Sequence, residues 1–368
     1  MAALLRPSSR LLPRPALSRR PPRLGPLRRL STPAESPTEA ASRFGSTALL
    51  VALGFGAFAG SYLLWPDESR AAPTKTRALL SPSHFTPVTV AATELCQDPN
   101  TRLITLAIPP NSIPSTDGSA FGPIWSIYVK DDDIQVERAF TPLEGIDAEG
   151  RIKLWVKKYD KGEVGRWLHS KRPGNQIEIR GPLKTWPWEE GEWDEVVMIS
   201  GGTGITPFFQ LLHKELLSRP SKSPRPKTRF TLLHSSRTPN ELPPPEITRP
   251  LMAYSQAHPE RLKLSFHVDA REGPSHSTVS SSELHVGRIG RGDVGKAMGS
   301  ASNSWWSSFF GGPGKGPVGT GKKVMFLVCG PDRMVAAIAG PYGRNFSQGE
   351  VGGVLGELGY GKDSVWKL

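Results

Sequence analysis

The sequence predicts a β-barrel plus α/β fold: an antiparallel barrel followed by a parallel-sheet domain, with a transmembrane helix ahead of both. Three observations lead there. Residues 80–186 carry short β-branched runs with no long helical period among them, apolar strands alternate with helical segments over residues 190–368, and Ser46–Trp65 is an uncharged apolar stretch. At 368 residues the chain has room for two ordinary domains and extras.

The N-terminus reads as targeting rather than as fold. Arg6, Arg10, Arg14, Arg19, Arg20, Arg23, Arg28 and Arg29 all precede the first acidic residue, Glu35, in a Ser- and Pro-containing stretch. This is the composition of a mitochondrial transit peptide over residues 1–43, with a disordered basic tail as the alternative. The span at 46–65, STALLVALGFGAFAGSYLLW, is long enough to cross roughly 30 Å of hydrocarbon. Tyr62 and Trp65 suit an interfacial anchor, and Arg43 before the span with Asp67 and Glu68 after it puts the N-terminus in the matrix. The expectation is a single-pass protein of the mitochondrial inner membrane whose body faces the intermembrane space. Without those eight arginines only +4 of the formal +12 remains. No basic stripe interleaved with aromatics follows, so nucleic acid is not an expected partner.

Residues 66–79 read as a Pro- and Thr-containing linker. PVTVAATELC, TRLITLAI, IWSIYVKDD, RIKLWVKKY and NQIEIRGPL then follow as strands separated by Pro, Gly, Asn and Asp, which predicts a small antiparallel barrel or sandwich over 80–186. In the second domain, EVVMIS is a buried strand, and a Gly turn leads into PFFQLLHKELL, apolar at helical spacing. RFTLLHSS, LKLSFHV and VMFLVCG are further strands, with helices at LMAYSQAH and DRMVAAIAGP. Such alternation predicts a doubly wound parallel sheet. The Gly/Ser-rich stretch 296–323 reads as a flexible insertion, with Trp305, Trp306, Phe309 and Phe310 as an unusual aromatic cluster that folds back or meets a membrane or partner.

Two Gly turns, ISGGTGITP and LVCGPD, each close a strand and open a helix, which puts both at the carboxyl edge of the sheet where ligands bind. Gly202 and Gly204, with Thr203 between them, let backbone N–H groups approach a phosphate, and Pro207 suits a first helical turn. The turn lacks the ending of a P-loop and the spacing of a Rossmann first turn. Only Cys96 and Cys329 occur, so neither a disulfide framework nor a thiolate metal site is implied, and no metal is expected.

RAFTPL at 138–143, ISGGTGITP, LVCGPD and ELGYGKDSVWKL at 357–368 together resemble the ferredoxin–NADP reductase superfamily, most closely its cytochrome-b5-reductase branch. The resemblance covers roughly residues 83–368. It implies FAD on the barrel, NADPH or NADH on the α/β domain, and hydride transfer at their junction. Arg138 resembles the arginine that pairs with the FAD pyrophosphate. Phe140 stands where the family usually has Tyr, Thr141 matches the residue whose hydroxyl lies near the flavin N5, and Pro142 follows it. Trp155 and Lys157 fall where strand residues bracket the isoalloxazine and ribityl parts. GEVGRWL aligns with the family's phosphate-gripping Gly-Lys-Met-Ser turn, so Val164 and Gly165 are expected at FAD; Glu163 there replaces a cation, and Gly165 replaces Ser.

On the nucleotide side, Thr206 resembles the residue at the flavin–nicotinamide junction, and Gly202, Thr203 and Gly204 should hold the dinucleotide. Cys329, Gly330 and Pro331 should sit by the nicotinamide, with Cys329 either a direct participant or a small buried hydrophobe. Trp366 stands where the family's aromatic covers the flavin face. Thr141, Cys329 and Trp366 are therefore the catalytic candidates. Ser236 and Arg237 follow the second strand where NADPH-using relatives bind the 2′-phosphate, which favours NADPH.

The presequence, span and C-terminal ending also resemble fungal cytochrome c mitochondrial import factors. That resemblance implies a reductase that keeps haem ferrous for attachment, with cytochrome c and its haem lyase as partners. An NADH–cytochrome b5 reductase and a non-enzymatic assembly scaffold are the alternatives. Lys157, Lys158, Lys161, Lys171 and Arg172 form a basic group in sequence that either meets the acceptor or is a solvated face.

Overall fold

In the computed structural model, residues 72–114, 120–132, 135–187, 189, 191–218, 228–298 and 322–368 are described. The Arg-rich leader, the 46–65 span and the Trp305–Phe310 cluster lie outside the described residues. Among the described residues no helix is long and apolar enough to cross a membrane.

The first half forms six antiparallel strands: β1 (Thr86–Leu95), β2 (Thr101–Ala107), β3 (Ile124–Lys130), β4 (Glu137–Phe140), β5 (Arg151–Lys157) and β6 (Gln176–Trp186). Their order is β4-β3-β6-β1-β2-β5. Alternate β-branched residues turn inward, so Val88, Val90, Ile104, Leu106, Ile127, Val129, Ile152, Leu154, Ile177 and Ile179 make one core. A register shift between Val90 and Ala92 bends β1, as an extra residue in an antiparallel ladder does. The edge strands are not paired with each other, but just beyond β4 the Leu143 N–H donates to the Lys153 carbonyl in β5 at 2.9 Å, drawing the edges together.

Three local features depart from the sequence reading. RAFTPL begins as strand β4. GEVGRWL, expected as a turn, opens helix α1 (Glu163–Ser170), because Val164, Trp167 and Leu168 recur on one buried face. The expected linker is pinned down near its end. The Lys75 N–H donates to the Phe85 carbonyl at 2.8 Å, and the Thr74 hydroxyl donates to Glu178 Oε1 at 2.6 Å.

The second half is a parallel sheet of β7 (Glu195–Gly201), β8 (Arg229–Ser236), β9 (Leu262–Val268), β10 (Leu284–Val286), β11 (Val324–Cys329) and β12 (Val365–Lys367). The order β10-β9-β8-β7-β11-β12 reverses direction between β7 and β11. Every residue of β7 is buried, as a central strand covered on both faces requires. One face carries α2 (Thr206–Leu212) and α3 (Pro245–Ala257). The other carries α4 (Arg291–Ala297), α5 (Asp332–Ala339) and α6 (Gly353–Glu357). The first of these two clusters continues into the barrel, where Leu103, Ile124, Leu143, Trp155 and Trp186 join Phe208, Phe209 and Leu212. Hydrophobic contact therefore runs unbroken from one half to the other. At the far end of the 296–323 stretch, the Lys323 N–H donates to Asp194 Oδ2 at 2.8 Å.

Inside β8, His234 Nδ1 lies 2.9 Å from Ser200 Oγ and Nε2 lies 3.1 Å from Ser236 Oγ. Desolvation, with His267 and His276 adding to it, lowers its pKa to about 3. His234 is thus neutral in the fold, while the unfolded chain binds a proton near pH 6.5. The contribution of His234 to stability is complete above that pH and is lost as pH falls toward the folded value, by about 1.4 kcal/mol per unit. Urea denaturation followed from about pH 7 to pH 4 should show this slope, and His234→Gln should flatten it.

Candidate functional site at the barrel–sheet junction

A cleft of about 650 Å³ opens between the two halves. Its sheet side is set by topology. Strands β7 and β11 are neighbours, Ser200 pairs in register with Cys329, and the chain leaves both strands through glycine turns at the same edge. This is the reversal point of the strand order, where open parallel sheets offer a crevice.

The turns touch. A Cβ on Gly204 would overlap the Cys329 carbonyl, a Cβ on Gly330 would lie 3.0 Å from the Gly201 nitrogen, and one on Gly201 would meet the Met334 sulfur. Gly202 needs no side chain for another reason, its φ of +54°. Helix α2 then begins at Thr206 with Pro207 in its first turn and no side-chain cap. Thr203, Gly204, Thr206 and Pro207 face the cleft from this wall, as do Cys329, Gly330 and Pro331.

The barrel contributes the opposite wall. Arg138, Phe140 and Thr141 come from the end of β4, and Trp155 and Lys157 come from β5. Arg138 is exposed, and among the described residues its guanidinium donates to the neighbouring Glu137 carbonyl, at 2.8 Å. At the same rim α1 starts without a side-chain cap, and Glu163, Val164 and Gly165 of its first turn line the cleft. A planar fork donor beside an uncapped helix N-terminus is a donor set suited to a diphosphate. Gly165 has a packing cause of its own: a Cβ there would sit 2.8 Å from the Lys157 carbonyl. Glu163 is exposed and caps nothing. These residues fit FAD.

Several expected site residues are placed otherwise. Trp366 lies in β12, opposite Leu327, partly buried against the core that runs from sheet to barrel, while Leu368 after it lines the cleft. Pro142 is buried, and its carbonyl accepts from Gln210 Nε2 at 2.9 Å. The Lys157 ammonium sits 3.1 Å from Asp98 and 2.8 Å from Glu241. Ser236 is buried, its hydroxyl donating to the Glu241 carbonyl at 3.1 Å. Arg237 is held by both carboxylate oxygens of Glu241, at 2.9 and 3.0 Å. Both residues of the Ser–Arg pair thus have partners in the turn after β8. Of the basic group, the Lys157 side chain is nearly buried in this network and Lys171 pairs with Asp132 at 3.2 Å, so the five do not form one free patch. Cys329 lines the cleft, and burial pushes its thiol up to about 12, favouring the protonated form.

Sequence reasoning missed Glu241, Gln210 and Tyr159. The first two are polar residues whose partners lie 84 and 68 positions away. No local pattern announces such contacts.

The chain matches two family models, Oxidoreductase FAD-binding domain over residues 92–188 and Oxidoreductase NAD-binding domain over residues 198–340. It is 31% identical over 233 residues to NADH-cytochrome b5 reductase 2 of Meyerozyma guilliermondii, covering 63% of this chain and 68% of that protein. The protein of the same name from Phaeosphaeria nodorum is 27% identical over 348 residues, covering 91% and 94%. The chain belongs to the ferredoxin–NADP reductase/cytochrome b5 reductase-like family. It is an FAD-dependent NAD(P)H oxidoreductase. The fold is also that of the cytochrome b5 reductase domain of Ulva prolifera nitrate reductase, with a TM-score of 0.56 at 18% identity over 79% of this chain and 100% of that one. A second solved structure, the CS-b5R domains of human Ncb5or, gives a TM-score of 0.54 at 17% identity, over 77% and 69%.

Because the two turns are in contact, Gly204→Ala should cost about 1–3 kcal/mol through overpacking. A lowered denaturation midpoint together with a raised KM for the nicotinamide substrate is the expected result.

Proposed function

We propose that this reductase takes hydride from NADH in preference to NADPH and delivers electrons singly to a haem protein, with cytochrome b5 as the acceptor. The observation that carries this reading is the meeting of two glycine turns at the strand reversal, across a cleft from Arg138, Thr141 and the open end of α1. FAD, when bound, supplies the conversion of a two-electron donor to one-electron delivery. Arg138 and the first-turn amides of α1 would hold its diphosphate. Thr141 from the barrel and Thr206 from the sheet would bracket the reacting rings, and the glycine turns would let the nicotinamide approach closely. The neutral Cys329 thiol would add a small wall.

Preference for NADH follows from Glu241. A 2′-phosphate brought to the end of β8 would meet a carboxylate that already occupies Arg237, and a Ser236 hydroxyl turned inward. The names of the relatives support both the nicotinamide and the acceptor. Of the departures in the phosphate turn, Gly165 is explained by its contact with the Lys157 carbonyl rather than by loss of function.

A finer reading, reduction of haem for attachment to cytochrome c in the intermembrane space, rests on the Arg-rich leader and the 46–65 span. Those segments also support a single-pass inner-membrane location. Reconstituted assays with cytochrome b5 and with free haem as alternative acceptors separate the two readings.

The soluble body should purify yellow, bleach anaerobically on addition of NADH, and reduce cytochrome b5; colourless protein that refuses FAD would overturn the reading. Glu241→Gln should free Arg237 and raise the NADPH-to-NADH ratio of kcat/KM by roughly tenfold, about 1.4 kcal/mol.

A further inference from the structure

Helix α2 is buried along its whole length, and its residues divide into two kinds. Phe208, Phe209, Leu211 and Leu212 join the apolar core. Gln210 does not. It is 3% exposed, and both ends of its amide are used on the barrel. Its Oε1 accepts from the Trp125 N–H of β3 at 2.8 Å, and its Nε2 donates to the Pro142 carbonyl at 2.9 Å.

These two bonds connect opposite sides of the cleft. Pro142 follows Thr141, which lines the barrel wall, and Gln210 lies four residues after Thr206, which lines the sheet wall and shares its helix face. The path from one threonine to the other thus runs through Pro142, one amide and a single helical turn. We propose that Gln210 is a positioning residue that fixes the separation of the Thr141 and Thr206 walls, and with it the distance over which hydride passes. The proposal rests on the reductase reading above. A side chain of fixed reach with one donor and one acceptor suits this task, because sliding either wall breaks a buried hydrogen bond and leaves a buried peptide group unpaired. The apolar contacts around it are non-directional.

The test uses the full soluble body, residues 66–368, in wild-type, Gln210→Met and Gln210→Glu forms. Methionine keeps the volume and removes both bonds. Ionised glutamate keeps the acceptor for Trp125 and removes the donor to Pro142, so Gln210→Glu is read at a pH high enough to ionise the buried carboxyl. The readouts are FAD content, affinity for ADP-ribose, the anaerobic rate of flavin bleaching by saturating NADH, and amide hydrogen exchange at Trp125. Both variants should retain FAD and ADP-ribose affinity within about twofold, while bleaching slows at least tenfold or so, as misplaced reacting groups predict. Trp125 exchange should quicken in Gln210→Met and stay slow in Gln210→Glu.

A bleaching rate within about twofold of wild type in Gln210→Glu would overturn the proposal, and so would parallel losses of FAD and ADP-ribose binding, which mark a general structural role. Should Gln210→Met not fold, Gln210→Glu alone decides. Wild-type protein that binds no FAD would sink the reductase reading instead. In that case unchanged Trp125 exchange in Gln210→Met would still overturn the clamp.

Discussion

The cleft depends on one steric condition: β7 and β11 must end level and let their following turns press together. Gly204 lies against the Cys329 carbonyl, and Gly330 lies against the Gly201 backbone. A side chain at either place would push the turns apart and open the sheet at its reversal point. The in-register pairing from Val324 with Glu195 to Cys329 with Ser200 delivers both turns to the same height, so topology and glycine act together. These glycines are required before any ligand is considered. The approach they grant to a dinucleotide follows from how closely the backbone already packs.

The second constraint is the joint between barrel and sheet. Apolar contact supplies cohesion, with Trp155, Leu143 and Ile124 continuing the core around Phe208 and Phe209. Contact of that kind is non-directional. Polar ties supply the register. Gln97 donates to the Ser275 carbonyl at 2.8 Å and accepts from the Ser277 N–H at 3.2 Å, Lys157 pairs with Glu241 across the joint, and Gln210 spans to Trp125 and Pro142. Lys157 and Asp98 are both nearly buried, and truncating one partner of such a group costs more than the pair is worth, because the other charge remains. The pairing therefore specifies one arrangement of the halves more than it stabilises them.

How much of this could be read from sequence depended on the range of the interaction involved. Strands with strong alternation or full burial, such as β2, β5, β7 and β8, announce themselves in five to ten residues. The three-residue strands β10 and β12 do not, since their pairing comes wholly from the neighbours β9 and β11. Helix α1 was hidden because its family counterpart had been read as a turn, although Val164, Trp167 and Leu168 held the helical spacing all along. In the site, the glycine turns and the Arg138–Thr141 run were legible as local motifs. An aromatic near a chain end, such as Trp366, can pack inward or outward, and its pairing with Leu327 sets it partly buried against the core. Ser236 and Arg237 were named without the residue that governs them, since Glu241 acts through the fold of the turn after β8.

That last case bears on how a nicotinamide site is tuned. An arginine carries five N–H donors in a fixed fork, and Arg237 gives two of them to one carboxylate. Glu241 uses both oxygens on Arg237 and shares one of them with Lys157 from the barrel. One carboxylate therefore ties the turn after β8 to the barrel. Removing Glu241 would release Arg237 and leave Lys157 with Asp98 alone.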